Sequence, residues 1–278
     1  MIEFSAFADE VTADFEEQLK FLALEKIPAI EIRFVNNKNI VDLNITERKR
    51  AKKILDRYGI KVSAIGSPIG KVAIDEPFEP HFEKFKHSVD LAHFFDTKYI
   101  RVFSYYPPEG EKIETYREEV IKRLSRQANF LEKTGIVMVH ENEAHIYGHS
   151  AENCVDIAKK VNSPSLNLAY DPANFVWGEH ITDNIESCWP LMKPYVVHVH
   201  IKDWKLGSKE LGSLPGEGDG QIEMLLTELA KINYQGFLTM EPHLKVGGQY
   251  GGETGPELFS KAISATKALC NKVGLKYE

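Results

Sequence analysis

The sequence is poor in cysteine: Cys154, Cys188 and Cys270 are far apart, odd in number, and no CxxC pair occurs in 278 residues. That density excludes a disulfide framework, and reduced thiols in a cytoplasmic setting are the simpler expectation. No run of about 18 apolar residues occurs, so no transmembrane helix and no membrane partner is expected. The opening MIEFSAFADEV has neither a basic stretch nor a long apolar one, which argues against a signal peptide or anchor. An excess of positive charge is also missing. Lys plus Arg number 34 against 41 for Asp plus Glu, a net −7, which excludes a nucleic-acid backbone as the main partner, because that binding needs concentrated positive surface. No GxGxxG follows the first apolar run, which disfavours a dinucleotide-binding open sheet. No linker or low-complexity tract divides the chain, so residues 1–278 are expected to form one domain.

What is present is a repeat. Val- and Ile-rich runs occur at Ile2–Phe7, Ala29–Phe34, Lys61–Gly66, Tyr99–Ser104, Ile136–His140, Leu166–Tyr170, Val196–Ile201 and Gly236–Met240. Each is followed by a charged amphipathic stretch. Eight units in 278 residues leave about 35 residues for each strand, helix and pair of loops. Helices are predicted from the spacing of Phe15, Leu19, Leu22 and Leu24, over Arg48–Tyr58 up to Gly59, over Tyr116–Lys133 up to Gly135, from Ser150, over Glu223–Ile232 and from about Pro256. Nearly continuous apolar strands alternating with helices indicate a parallel sheet covered on its faces. Eight such units, at a length typical of the fold, predict an α/β protein: a single (β/α)8 TIM barrel.

Barrel enzymes carry their chemistry at the C-terminal ends of the strands. The fifth run ends in VMVHEN with Glu141, the sixth in LAYDPAN with Asp171, the seventh is VVHVHIKD with His198, His200, Lys202 and Asp203, and the eighth ends in LTMEPH with Glu241. From Glu141 to Asp171, His200 and Glu241 the steps are 30, 29 and 41 residues, each near one repeat, so the four side chains are expected to surround one point. Any one carboxylate at a strand end is as readily a solvated loop residue or a helix cap; four in succession favour a shared metal ion. Three carboxylates and one imidazole suit one divalent ion, Mn²⁺ first, with Mg²⁺, Co²⁺ or Zn²⁺ as alternatives. An octahedral ion so held keeps room for two oxygens of a sugar, a carbonyl and its neighbouring hydroxyl. Glu141 and Glu241 flank the other two and are the candidates for moving a proton at the adjacent carbon.

In their HEN, YDPAN, HVHIKD and MEP contexts these residues resemble the xylose isomerase-like TIM barrels, the sugar phosphate isomerase/epimerase superfamily. The opening FADE, AIEIRF, VSAIGSPIG and PGEGDGQI are similar as well, so the resemblance runs along the whole chain. It implies that Glu141, Asp171, His200 and Glu241 bind metal and that Glu141 and Glu241 are the catalytic acid/base pair. One departure stands out. Ketose 3-epimerases and endonuclease IV of this superfamily have a His three positions after the strand-six Asp, where this chain has Asn174. That, with too few histidines and an acidic balance, disfavours DNA repair and weakens a strict ketose 3-epimerase assignment.

Further candidates for substrate contact are Asn174, His198, Lys202, Arg101 and Trp177, with Arg33 and Trp204 beside them. His198 reads equally as a residue behind His200 or as a packed barrel histidine, and Glu31 as a structural ion-pair member. Asp203 reads as orienting a lysine or a loop. Glycines 247, 248, 251 and 252 suggest a lid or, less strongly, a phosphate site; His145 and His149 read as surface residues. The implied function is a metal-dependent isomerase or epimerase of a sugar or sugar phosphate, working through a cis-enediolate. The alternative is a dehydratase or lyase acting on a keto-sugar or inosose, and a sugar-binding barrel without catalysis is the non-enzymatic one. A small-molecule sugar is the expected partner, and the oligomeric state is left open, a homo-oligomer included.

Overall fold

The computed structural model describes residues 2–245 and 254–278. The eight apolar runs are strands: β1 (Glu3–Ala6), β2 (Ala29–Ile32), β3 (Lys61–Ile65), β4 (Tyr99–Val102), β5 (Val137–Glu141), β6 (Leu166–Tyr170), β7 (Val196–Ile201) and β8 (Phe237–Met240). They pair in parallel in the order β1-β8-β7-β6-β5-β4-β3-β2. β1 and β2 lie side by side and nearly close the ring, so the chain is a TIM barrel.

Helix ends follow from local chemistry. Asn44 and Glu47 form a reciprocal capping box that starts the helix Ile45–Tyr58 three residues before the apolar spacing does, and Gly59 ends it at φ +65°. The Ser150 side chain accepts from Asn153 N–H and opens Ala151–Val161. Helices Arg117–Leu131, Ile222–Lys231 and Pro256–Val273 fall where the spacing predicts. In Phe15–Leu24, residues Phe15, Leu19 and Leu22 are buried, but Leu24 is 75% exposed, because a step of two residues leaves a stripe built on steps of three and four. A short hairpin, Phe34–Val35 with Lys38–Asn39, follows β2. Asn36 and Asn37 make its turn at positive φ, which asparagine tolerates better than most residues. The run containing glycines 247, 248, 251 and 252 lies outside the described residues.

Strand periodicity separates two interiors. Outward residues such as Phe4, Ile32, Ile65, Val102, Met138, Leu168, Val199 and Met240 join the helices in one large apolar core. Each such side chain, buried, is worth about 1.5–3 kcal/mol. Inside the ring, Val137, Val139 and Ala169, with Tyr99 and Val197 packed against them, form only a small separate apolar cluster; beside it Ser5, Glu31, Ser63, His198 and Thr239 are all buried. The helix–barrel layer thus supplies most of the apolar stabilisation and leaves the barrel axis free for charged groups.

Candidate metal centre and active site

Side chains two apart on a strand share a face, and several inward files end in a charged group at the mouth. Val137, Val139 and Glu141 form one file; His198, His200 and Lys202 another; Thr239, Glu241 and His243 a third. The structure brings Glu141, Asp171, His200 and Glu241 together: each offers a donor atom, these lie within 4.8 Å of one another, and all four residues are buried. His200 is at the centre. Its Nδ1 is 3.1 Å from Glu141 Oε1, 3.6 Å from Glu241 Oε2 and 4.0 Å from Asp171 Oδ2.

Asp171 combines the two roles that its position suggested separately. Its Oδ1 caps the helix Pro172–Glu179 by accepting from Asn174 N–H, while Oδ2 turns into the cluster, 2.6 Å from Lys202 Nζ. Asn142 fastens β5 to β6 through a reciprocal pair: its Nδ2 donates to Asp171 O and its Oδ1 accepts from Asp171 N–H. Asn174 donates through Nδ2 to Asn142 O at 2.8 Å and to Glu141 Oε1 at 3.3 Å. Its amide therefore orients Glu141.

The opposite side of the mouth carries the counter-charges. Arg33 reaches Asp9 Oδ2 through Nε at 2.9 Å and Glu241 Oε1 through Nη1 at 3.0 Å. Arg101 Nη1 lies 3.3 Å from Glu141 Oε2. His243 Nε2 stands between Glu10 Oε1 (3.2 Å) and Glu241 Oε1 (3.4 Å). Both guanidinium groups lie over the Phe7 ring, whose edge also meets His200. Asp9, Glu10, Asn142 and His243 were not singled out from the sequence. The strand-end rule applied to β1 leads to Asp9 and Glu10, and period two from Glu241 leads to His243.

Buried charges this close set one another's protonation. Burial pushes the Glu141 carboxyl up, but His200 and Arg101 outweigh it and hold it at about 2. Burial raises Asp171 to about 6, against the pull of Lys202 and with help from Glu141 and Glu241. Glu241 is buried too, yet Lys202, His243 and His200 bring it well below the usual carboxylate range. Burial opposes the charged form of His200, but Glu141 and Glu31 raise it well above the ordinary imidazole value. His243, likewise buried, is raised to about 9 by Glu10 and Glu241.

A cavity of about 350 Å³ opens onto the cluster, within the range of small-molecule sites. Arg33, Lys71, Arg101, Glu141, Glu143, Lys202, Glu241 and His243 line it, with Phe34 and Asn39 from the hairpin. Lys202 and Arg101 therefore face the cavity. His198 is instead fully buried one pleat deeper, its Nε2 2.7 Å from Glu31 Oε2. Trp177, 40% exposed, stands edge-on to Trp204 and His145 on the rim, outside the cavity's lining. Asp203 pins a loop: its carboxylate accepts from the backbone N–H of Trp204, Gly216, Gly218 and Gly220. The glycines of PGEGDG are required there, since a Cβ on Gly218 would lie 2.3 Å from Asp203 Oδ1. His145 is exposed and His149 half-buried between Glu114 and Glu179.

The sequence profile of the xylose isomerase-like TIM barrels matches residues 21–269. The chain belongs to the xylose isomerase-like TIM barrel family. No curated protein matches it in sequence. Among solved structures, a xylose isomerase-like TIM barrel protein from Mycobacterium smegmatis in complex with magnesium superposes with a TM-score of 0.76 at 14% identity, covering 99% of this chain and 98% of that one. D-psicose 3-epimerase from Clostridium cellulolyticum H10, solved with D-tagatose, gives 0.73 at 16% identity over 99% and 100%. The probable 3-DHS dehydratase from Bacillus anthracis gives 0.75 at 14% over 96% and 99%. At these identities the likeness is one of fold. Among the described residues no helix is long and apolar enough to cross a membrane.

Proposed function

We propose that this family member is a divalent-metal-dependent sugar isomerase or epimerase that moves a proton at a carbon next to a carbonyl, through a cis-enediolate. The observation that carries this reading is the meeting of Glu141, Asp171, His200 and Glu241 beneath a cavity the size of a small molecule. The donor set fits a hard divalent ion such as Mn²⁺ or Mg²⁺: three carboxylates, one imidazole nitrogen and no thiolate. Asp171 Oδ2 supports the fit, since it is wholly buried and turned into the cluster, with the Lys202 ammonium as its nearest partner. A bound ion supplies Lewis acidity to a carbonyl and its neighbouring hydroxyl.

The protein's own groups account for the proton transfers. Glu141 and Glu241 are both ionised at neutral pH, so either begins as a base. The one facing the carbon's hydrogen takes it and then holds the proton for return. Lys202 stays charged between Asp171 and Glu241 and stabilises the oxygen that gains negative charge. Arg33, Arg101, Asn174 and His243 hold the two glutamates in place. The relatives solved with magnesium and with D-tagatose support the metal and substrate classes.

Lys202 also favours a second reading, a dehydratase. With its Nζ 2.6 Å from Asp171 and 3.5 Å from Glu241, it is an ammonium placed to hydrogen-bond a departing β-hydroxyl, which takes up the proton that the base removed from the C–H. Base attack on the C–H, formation of C=C and loss of that hydroxyl as water then balance. Incubation with Mn²⁺ and candidate keto-sugars in D₂O separates the readings. Isomerisation leaves deuterium next to the carbonyl, whereas dehydration yields a conjugated, ultraviolet-absorbing product. Absence of both across ketoses, sugar phosphates and inososes would refute the enzyme assignment.

A further inference from the structure

Beneath the four-group cluster, one pleat deeper in the barrel, lies a second charged contact that the proton-transfer scheme does not use. The two nitrogens of His200 face opposite ways. Nδ1 points up at Glu141, Glu241 and Asp171 at 3.1, 3.6 and 4.0 Å, and Nε2 points down at Glu31 Oε2 at 3.3 Å. The same Glu31 oxygen is 2.7 Å from His198 Nε2, which also meets Thr239 Oγ1 at 3.1 Å. Glu31 is completely buried, and a carboxylate out of water is costly unless donors compensate it. The β2–β3 ladder slips by one residue between Ile30 and Glu31, opposite Ser63, a local irregularity of the kind that re-aims a side chain.

We propose that Glu31 is a positioning residue for the metal-ligating histidine. It accepts Nε2–H of His200 and so fixes the tautomer in which the Nδ1 lone pair is directed into the cluster. His198, itself in contact with Thr239, holds the carboxylate in register for that task, and the Phe7 ring, near-perpendicular to that of His200, keeps the imidazole from tilting. A purely structural ion pair would be satisfied by either nitrogen of His200. Here only Nε2 reaches Glu31, and the other nitrogen is left for the carboxylate cluster. Such outer partners orient a ligating imidazole and raise its basicity, and their loss typically costs 10–100-fold in metal affinity. The inference rests on the metal reading of the cluster.

Histidine ring nitrogens of the ¹⁵N-labelled full chain, loaded with diamagnetic Zn²⁺ or Mg²⁺, read the tautomer directly by long-range ¹H–¹⁵N correlation. The His200 signal, assigned by its loss in His200→Gln, is expected to show a protonated Nε2 and a metal-shifted Nδ1. Mn²⁺ titration of Glu31→Gln, which keeps a neutral acceptor, should show a smaller loss of affinity than Glu31→Met, which keeps none and should fall by about 10–100-fold. Metal bound through Nε2, or both variants binding Mn²⁺ as tightly as the parent, overturns the role of Glu31 while leaving the metal site standing. A parent protein that binds neither Mn²⁺, Mg²⁺ nor Zn²⁺ overturns both. The tautomer is read on the parent, so the outcome does not depend on either variant folding.

Discussion

The two halves of the barrel mouth differ in what they contribute. Strands β5 to β8 end in the four groups that converge, Glu141, Asp171, His200 and Glu241. Strands β1, β2 and β4 contribute what those groups rest against: Asp9 and Glu10 after β1, Glu31 and Arg33 on and after β2, and Arg101 on β4. One half concentrates negative charge about a small volume. The other offsets it with two guanidinium groups, each also tied to an acid of its own half. A cluster of buried carboxylates is tolerable only with such partners, so the chemistry of one half presupposes the scaffolding of the other.

Substitutions on each half test that division. On the converging half, Glu141→Gln keeps the size and removes the base. Deuterium incorporation from D₂O should fall by about 10²–10⁴-fold while the far-UV circular dichroism persists; retained exchange would show that Glu141 is not the base. On the scaffolding half, Arg33→Met leaves the part-buried Asp9 without its ion-pair partner and the buried Glu241 without its closest one, and urea unfolding should register a loss of about 3–5 kcal/mol. A loss no greater than that of an exposed substitution would mean the two halves are energetically independent.

The smallest effect concerns protons and lies within the converging half. Metal ligands must be deprotonated to bind. His200 carries its proton well above the ordinary imidazole value, and Asp171 loses its own only near pH 6. Adding Mn²⁺ should therefore release about one proton near pH 8 and approach about two below pH 6, as read by a pH indicator in weak buffer. Equal release at both pH values would contradict the Asp171 shift. In the metal-free protein the two acids act in opposite senses. Glu141, held at about 2, stabilises the fold above its ordinary value of 4.5 and ceases to as pH falls through about 2. Asp171, raised from 3.8 to about 6, contributes below 3.8 and loses that contribution as pH rises through about 6.

Legibility in the sequence followed the same division. Glu141, Asp171, His200 and Glu241 stand out because each ends an apolar strand at nearly one repeat from the last. Asp9, Glu10 and His243 obey the same strand-end and period-two rules, but nothing in the sequence attaches a role to them; their contacts with Arg33 and Glu241 do. From the sequence, Glu31 reads as a structural ion-pair member and His198 equally as a residue behind His200 or as a packed barrel histidine, with nothing to join the two. The approach of Glu31 to His200, 169 residues away in sequence, is a product of barrel closure and of the slip in the β2–β3 ladder. Asn174 was read as a sugar contact, but its amide is engaged by Asn142 and Glu141, a partnership between neighbouring strands.

By itself the chain order determined the architecture and the ligand candidates. Strand periodicity and repeat length are local properties, and burial of apolar faces leaves few ways to satisfy eight such units. Tertiary structure alone decided which nitrogen of His200 faces the cluster, which arginine neutralises which glutamate, and that Lys202 enters the site while His198 stays beneath it. Those outcomes depend on ångström-scale distances between strands far apart in sequence, and in a buried, weakly screened interior such distances set both charge and reactivity.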